Sequence, residues 1–142
     1  MTRINSAINV KRLTDEHLLA EHREIKRLPH VLPNCRRGPL PDRFVLGTGH
    51  VRFFLDKMRF TLNRYNDIRR ECLERGFAVD DFSDNWNDLP EECRGDYRVT
   101  KKEEELLVER ISERLLNSKK RYWHYKGERI SAEDAVKLLK RQ

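Results

Sequence analysis

Cysteine is scarce in this sequence and shows no pairing pattern. Cys35, Cys72 and Cys93 are an odd number with no Cys-x-x-Cys spacing. That argues against a disulfide framework and against a cysteine-built zinc site, and it fits a reduced interior, cytoplasmic or nucleoid-associated. Apolar runs are short, and none approaches the roughly 20 residues a membrane span needs. The N-terminus carries no apolar signal segment. Internal repeats and low-complexity tracts are absent, and no window alternates convincingly like a strand. His17 and His22 stand five apart without a third ligand nearby. Asp80, Asp81, Asp84 and Asp88 lack the spacing of a calcium loop and read as a solvated acidic connection. No metal site is expected.

Basic charge and helical periodicity are what the chain does have. Lys and Arg number 30 against 24 Asp and Glu, for a formal charge of +6. Such a balance is compatible with a polyanionic partner, above all nucleic acid, and equally with an ordinary basic protein. The 142 residues are a natural length for one domain, 1–142, with one core. A first helix is predicted to begin at a Thr14 N-cap, with Leu13 and Leu18 as a hydrophobic staple. Leu18, Ile25, Leu28 and Leu32 continue it at helical spacing until Pro29 and Pro33 end or kink it. Residues 33–48 read as a loop whose Arg36, Arg37 and Arg43 are either phosphate contacts or solvated charges. Val51, Leu55, Met58, Leu62, Tyr65 and Cys72 form the core stripe of a second helix closed by Gly76. Residues 77–99 read as an irregular connection with short helical turns. A capping box of Thr100 and Glu103 starts a third helix, with a Leu107, Ile111 and Leu115 seam. Ser131 caps a short extra helix over 131–142 at the C-terminal end. The expected fold is all-α: a compact single domain of about three main helices plus the short C-terminal one, with the N-terminal segment packed between helices.

Two small groups of residues could carry chemistry. Thr2 is small, so removal of Met1 is expected, leaving a free α-amine beside Arg3. An α-amine has a pKa of about 8, low enough for a useful unprotonated fraction near neutral pH. Such an amine can attack a sugar carbon and form a Schiff base. The bland reading is a frayed terminus. On the first helix, Glu24 is flanked at helical spacing by Arg23 and Arg27. Either these are a solvated face of weak ion pairs, or Glu24 is an acid/base group between two cations. Further along, Arg110 and Arg114 lie one turn apart, followed by Lys119, Lys120 and Arg121. Tyr122, Trp123 and Tyr125 interleave with these cations, a pattern that suits stacking on DNA or covering the core.

Several short motifs recur in one order: Met1-Thr2-Arg3-Ile4-Asn5; His17 to Glu24; Gly49-His50-Val51 with Phe53-Phe54 and Asp56-Lys57; Glu71-Cys72-Leu73 with Arg75-Gly76-Phe77; Arg94-Gly95-Asp96-Tyr97; and Tyr122-Trp123-His124-Tyr125. As an ordered set over roughly residues 1–130 they resemble the phage-type pyrimidine dimer DNA glycosylases with abasic-site lyase activity, the ultraviolet endonuclease V family. The resemblance implies a bifunctional glycosylase and lyase acting on cyclobutane pyrimidine dimers in double-stranded damaged DNA. It implies catalysis by the Thr2 α-amine with Glu24 as the acid/base group, and phosphate contacts from Arg3, Arg23 and Arg27. It also implies no cofactor, no required protein partner, no membrane, and a monomer.

The chain departs from that pattern in places. One extra residue separates the N-terminal segment from the first helix, so Ser6 to Lys11 align least securely. His22 stands where a tyrosine is common. The aromatic tail is reordered to Tyr-Trp-His-Tyr-Lys-Gly. These changes leave Thr2 and Glu24 in place but bear on substrate choice. The alternatives are the same chemistry on a modified or otherwise damaged base, or a non-catalytic DNA-binding module. A weaker third reading is a helical bundle that binds proteins.

Overall fold

In the computed structural model of the chain, residues 4–35 and 39–141 are described, the side chains of 32–35 excepted. Thr2, Arg3, Arg36 and Arg37, and the side chain of Leu32, therefore lie outside the described residues. The rest is largely helical, with one small hairpin. No helix among the described residues is long and apolar enough to cross a membrane.

Helix α1, Asp15–Ile25, begins where the sequence predicts. The Thr14 hydroxyl accepts from the His17 backbone N–H at 3.1 Å, and Leu13 and Leu18 are both fully buried. Its end differs from the expectation of one helix running on through Leu28 and Leu32. Lys26 and Arg27 form a turn, and α2 then runs from Leu28 to Cys35. Had α1 continued, the Pro29 ring would have met the Ile25 carbonyl and supplied no N–H to it. In the first turn of a new helix that N–H is not needed. Asn85 Nδ2 donates to the Lys26 carbonyl at 3.0 Å, which holds the end of α1 from outside.

The second predicted helix is also divided. Helix α3 covers His50–Phe53, a turn follows, and α4 covers Met58–Glu74. The cause is a long-range contact that periodicity does not register. The Gly95 carbonyl accepts from the N–H groups of Arg59 (3.1 Å) and Phe60 (3.3 Å), and the Gly95 N–H donates to the Asp56 carbonyl at 3.1 Å. The first free N–H groups of α4 are thus capped by backbone rather than by a side chain. Gly95 is needed there, because a Cβ would lie 2.4 Å from the Asp56 carbonyl oxygen. At the other end Gly76, at φ 88°, closes α4 as predicted, with Phe77 N–H donating to the Cys72 carbonyl at 2.9 Å.

The acidic connection carries two 3₁₀ turns, Ser83–Trp86 and Glu91–Cys93. Trp86 is buried, and its indole N–H donates to Thr61 at 3.0 Å. The capping box of Thr100 and Glu103 opens α5, Lys101–Asn117, whose Leu107, Ile111 and Leu115 are buried. Beyond α5 the structure departs from an entirely helical chain. Trp123–Tyr125 (β1) pairs antiparallel with Glu128–Ile130 (β2) through a two-residue turn with Lys126 at φ 53° and Gly127 at φ 84°. Positive φ at both turn positions is the geometry that matches strand twist. Three-residue strands are too short to show alternation. Helix α6, Ala132–Lys140, capped by Ser131 as predicted, packs on α5 through Ala135 and Leu139.

The N-terminal segment is part of the core. Ile4 and Ile8 are buried with Leu13, Leu18, Phe53, Phe54 and Tyr65 in one cluster. Asn5 and Ser6 are buried as well. This segment forms a strap across α3 and α4, held at its two ends by side chains described below.

Candidate functional site

Glu24 sits in the last turn of α1, with its side chain 30% exposed. Arg27 Nη1 lies 3.4 Å from Glu24 Oε2, and the Arg27 side chain is 64% exposed. Arg23 is exposed beside it. Cations at the C-terminal end of a helix are favoured by its dipole and by the free carbonyls there. Lys26, which sequence reasoning missed, completes the cluster with its Nζ 3.9 Å from the centre of the Phe82 ring. One end of α1 therefore presents a half-buried carboxylate among three cations.

The face of α1 behind Glu24 is fixed by a buried ion pair. Arg64 on α4 donates from Nε and Nη2 to the two oxygens of Glu21, at 2.8 and 3.0 Å. Its remaining Nη1 donates to the Ile8 carbonyl at 2.6 Å. The two side chains are 7% and 0% exposed. One guanidinium thus joins α1, α4 and the N-terminal strap. At the other end of the strap, the Ile4 N–H donates to His50 Nε2 at 2.9 Å, while His50 Nδ1 pairs with the Val45 carbonyl at 2.8 Å. The sequence hinted at Arg64 and Glu21, since each is a charged residue set within an apolar helical stripe. Only the fold shows that the two stripes face each other.

His22, at the position where a tyrosine is common, is buried and pairs through Nε2 with Tyr65 Oη at 3.2 Å. Tyr65 Oη in turn accepts from the Phe82 N–H at 2.8 Å. Burial first, and then the Lys26 charge, lower the pKa of this imidazole, so it packs neutral. Cys72 is no competing nucleophile, because burial pushes its thiol up to about 11.

The hairpin, and Lys120 of the basic segment before it, meet the other end of α1. Asp15 accepts from the Lys126 and Gly127 N–H groups at 2.9 and 2.8 Å, and Glu16 accepts from the His124 N–H at 2.9 Å. These two acids hold the hairpin on the helix start. Burial raises the Glu16 pKa, but hydrogen bonds from His124 and Lys120 outweigh it and bring the carboxyl below its ordinary value. Arg110 and Arg114 are exposed on α5, and Lys119, Lys120 and Arg121 are exposed in the segment after it. Lys120 also reaches Glu16 at 3.2 Å and lies over the Trp123 ring at 4.5 Å.

The three aromatics of this region divide. Tyr122 is 39% exposed, with the Arg129 guanidinium 4.3 Å from its ring centre. Trp123 is 9% exposed and stacks on His17 at 5.3 Å between centroids. Tyr125 donates its hydroxyl to the Lys11 carbonyl at 2.7 Å, with Arg75 over its ring. Trp123 therefore serves the core, Tyr122 is offered to solvent, and Tyr125 does part of each. Arg129 on β2 is a cation that sequence reasoning missed. Glu16 and Glu24 are eight residues apart, so about 12 Å of helix separates the two groups.

Among the described residues no group of three or more His, Cys, Asp and Glu side chains is placed to hold a metal ion. A family model described as pyrimidine dimer DNA glycosylase matches residues 1–85, more than half of the chain. The match takes in the strap, α1 with Glu24, and α4 with Arg64, and it ends before α5 and the hairpin. The chain belongs to the pyrimidine dimer DNA glycosylase family, a family of DNA-repair enzymes.

Proposed function

We propose that this glycosylase is bifunctional, excising cyclobutane pyrimidine dimers through the α-amine of Thr2 and then nicking the strand at the resulting site. The Thr2 nitrogen forms a bond to C1′ of the 5′ nucleotide of the dimer and gives up a proton. The glycosidic bond breaks, and its electron pair leaves with the pyrimidine, which stays attached to its neighbour through the cyclobutane ring. Opening of the sugar at C1′–O4′ leaves an imine between protein and deoxyribose. The imine acidifies C2′, Glu24 takes that proton, and the C3′–O bond breaks with expulsion of the 3′ phosphate. Hydrolysis of the imine frees the amine. Glu24 also faces the positive charge that develops on the sugar, where a fixed carboxylate is effective.

The observation that carries this reading is the Arg64 guanidinium, which ties the strap at Ile8 to Glu21, one turn of α1 before Glu24. The tether of the amine and the helix of the carboxylate thereby share one rigid anchor. Arg23, Arg27 and Arg3 would grip phosphates at the lesion. Arg110, Arg114, Lys119, Lys120, Arg121 and Tyr122 would extend the footprint, with Trp123 and Tyr125 supporting it. Arg23 follows Glu16, the partner of Lys120, by seven residues and so shares its stripe of α1. The separation of about 12 Å corresponds to roughly four base pairs of duplex.

The test is nicking of a duplex with one defined thymine dimer by processed wild-type protein, by Glu24→Gln, and by protein with a chemically blocked N-terminus. The reading expects loss of nicking in both modified proteins, with DNA affinity within a few-fold of wild type. Equal nicking by Glu24→Gln would remove Glu24 from the mechanism. Nicking of abasic but not dimer duplexes would keep the amine chemistry and change the base target.

A further inference from the structure

We propose that His50 is a positioning residue for the N-terminal amine. The inference rests on the amine chemistry proposed above and assigns a role to a side chain that this chemistry leaves unused. His50 opens α3, is 2% exposed, and is enclosed by the edges of Phe44 and Phe54. Its Nδ1 faces the Val45 carbonyl at 2.8 Å, and a carbonyl can only accept, so Nδ1 carries the proton. Nε2 is then left with a lone pair, and the Ile4 N–H donates to it at 2.9 Å. The Val45 carbonyl thus fixes the tautomer that makes the imidazole an acceptor for backbone.

The consequence for Thr2 follows from chain geometry. Two residues of backbone span at most about 7 Å. While the Ile4 bond holds, a free Thr2 amine stays within about that distance of a buried, rigid point. Without it the next strap backbone group that a side chain of the helices holds by a hydrogen bond is the Ile8 carbonyl, on Arg64, six residues from Thr2. Six residues reach about 20 Å. The volume open to the amine grows as the cube of that ratio, so its effective concentration at C1′ falls roughly twentyfold if the buried strap side chains give way.

The measurement compares wild type, His50→Leu and His50→Gln by single-turnover borohydride trapping on a dimer-containing duplex, with DNA affinity measured alongside. Amide exchange at Ile4 is followed in each protein, and far-UV circular dichroism checks folding. Leucine keeps bulk and removes the acceptor, whereas glutamine returns an acceptor at the position of Nε2. The expected result is a tenfold or greater fall in the trapping rate of His50→Leu with affinity unchanged within a few-fold. The Ile4 amide should lose protection, and His50→Gln should recover most of both. A folded His50→Leu that traps at the wild-type rate would overturn the proposal. So would a loss that affinity shares in proportion and glutamine does not rescue. No adduct from wild-type protein would overturn the amine reading itself, and a positioning role with it. An Ile4 amide protected in wild type and open in His50→Leu would then mark His50 as a purely structural clamp.

Discussion

Replacing Glu21 by Gln removes the charge against which Arg64 is buried. The pair is bidentate, with N···O distances of 2.8 and 3.0 Å and side chains 7% and 0% exposed. An uncompensated buried charge costs about 3–5 kcal/mol. Gln keeps one acceptor for the guanidinium, so the lower end, about 3 kcal/mol, applies. An exposed pair such as Arg27–Glu24 contributes about 1 kcal/mol at most. For a domain of this size each kcal/mol moves the melting temperature by about 3 °C, which gives a fall near 10 °C. Urea unfolding followed by far-UV circular dichroism measures the change directly. The double variant Glu21→Leu with Arg64→Met removes both charges and should recover most of the loss, since apolar replacement of a buried pair is often neutral. That double variant should still nick slowly, because the Ile8 carbonyl has lost its donor and the strap its second anchor. A change below about 1 kcal/mol for Glu21→Gln would refute the idea of a buried keystone. A double variant no more stable than the single would refute the charge argument.

Arg27→Ala should weaken binding to damaged and undamaged duplex alike and lower the slope of log affinity against log salt by about 1. Titration at three salt concentrations checks it, and an unchanged slope would remove Arg27 from the phosphate contacts. His17 should make the protein acid-labile. Burial brings its pKa down to about 4, outweighing the Glu16 and Glu21 charges, which the Arg114 and Lys120 charges partly offset. The folded state therefore favours neutral His17. The resulting stability, up to about 3 kcal/mol, is complete above the unfolded value of about 6.5 and is lost as pH falls from there toward 4. Melting temperatures across that window should flatten in His17→Gln. Gly95→Ala should destabilise by about 2 kcal/mol or more, because its Cβ would sit 2.4 Å from the Asp56 carbonyl oxygen. Thermal unfolding measures this, and a neutral substitution would show that the 94–95 segment yields freely.

What the sequence disclosed was local. The Thr14 cap, the Gly76 terminus, the Thr100 and Glu103 box and the Ser131 cap depend on neighbours within a few residues, and all are present. The break between α3 and α4 depends on Gly95, some forty residues away, so periodicity runs straight through it. The hairpin depends on Asp15 and Glu16 receiving its backbone N–H groups. Those acids stand in the first turn of α1, more than 100 residues before the hairpin, and nothing local in the sequence ties them to it. The cluster of Arg23, Glu24 and Arg27 was visible because five consecutive positions, the last turn of α1 and the turn after it, carry it. Arg64 escaped notice because its value lies in joining Glu21 to Ile8, two contacts made only on folding. The aromatic tail was left between two roles, and burial separates Trp123 from Tyr122.

The most direct measurement is borohydride trapping of Met-processed protein on a duplex with one thymine dimer, with undamaged and abasic duplexes alongside and the adduct mapped by mass spectrometry. The account predicts a covalent adduct on the dimer duplex with deoxyribose attached to the Thr2 nitrogen. It predicts the same adduct on the abasic duplex and none on undamaged DNA. An adduct mapped to a lysine side chain, or no adduct from folded protein with Met1 confirmed absent, would contradict it.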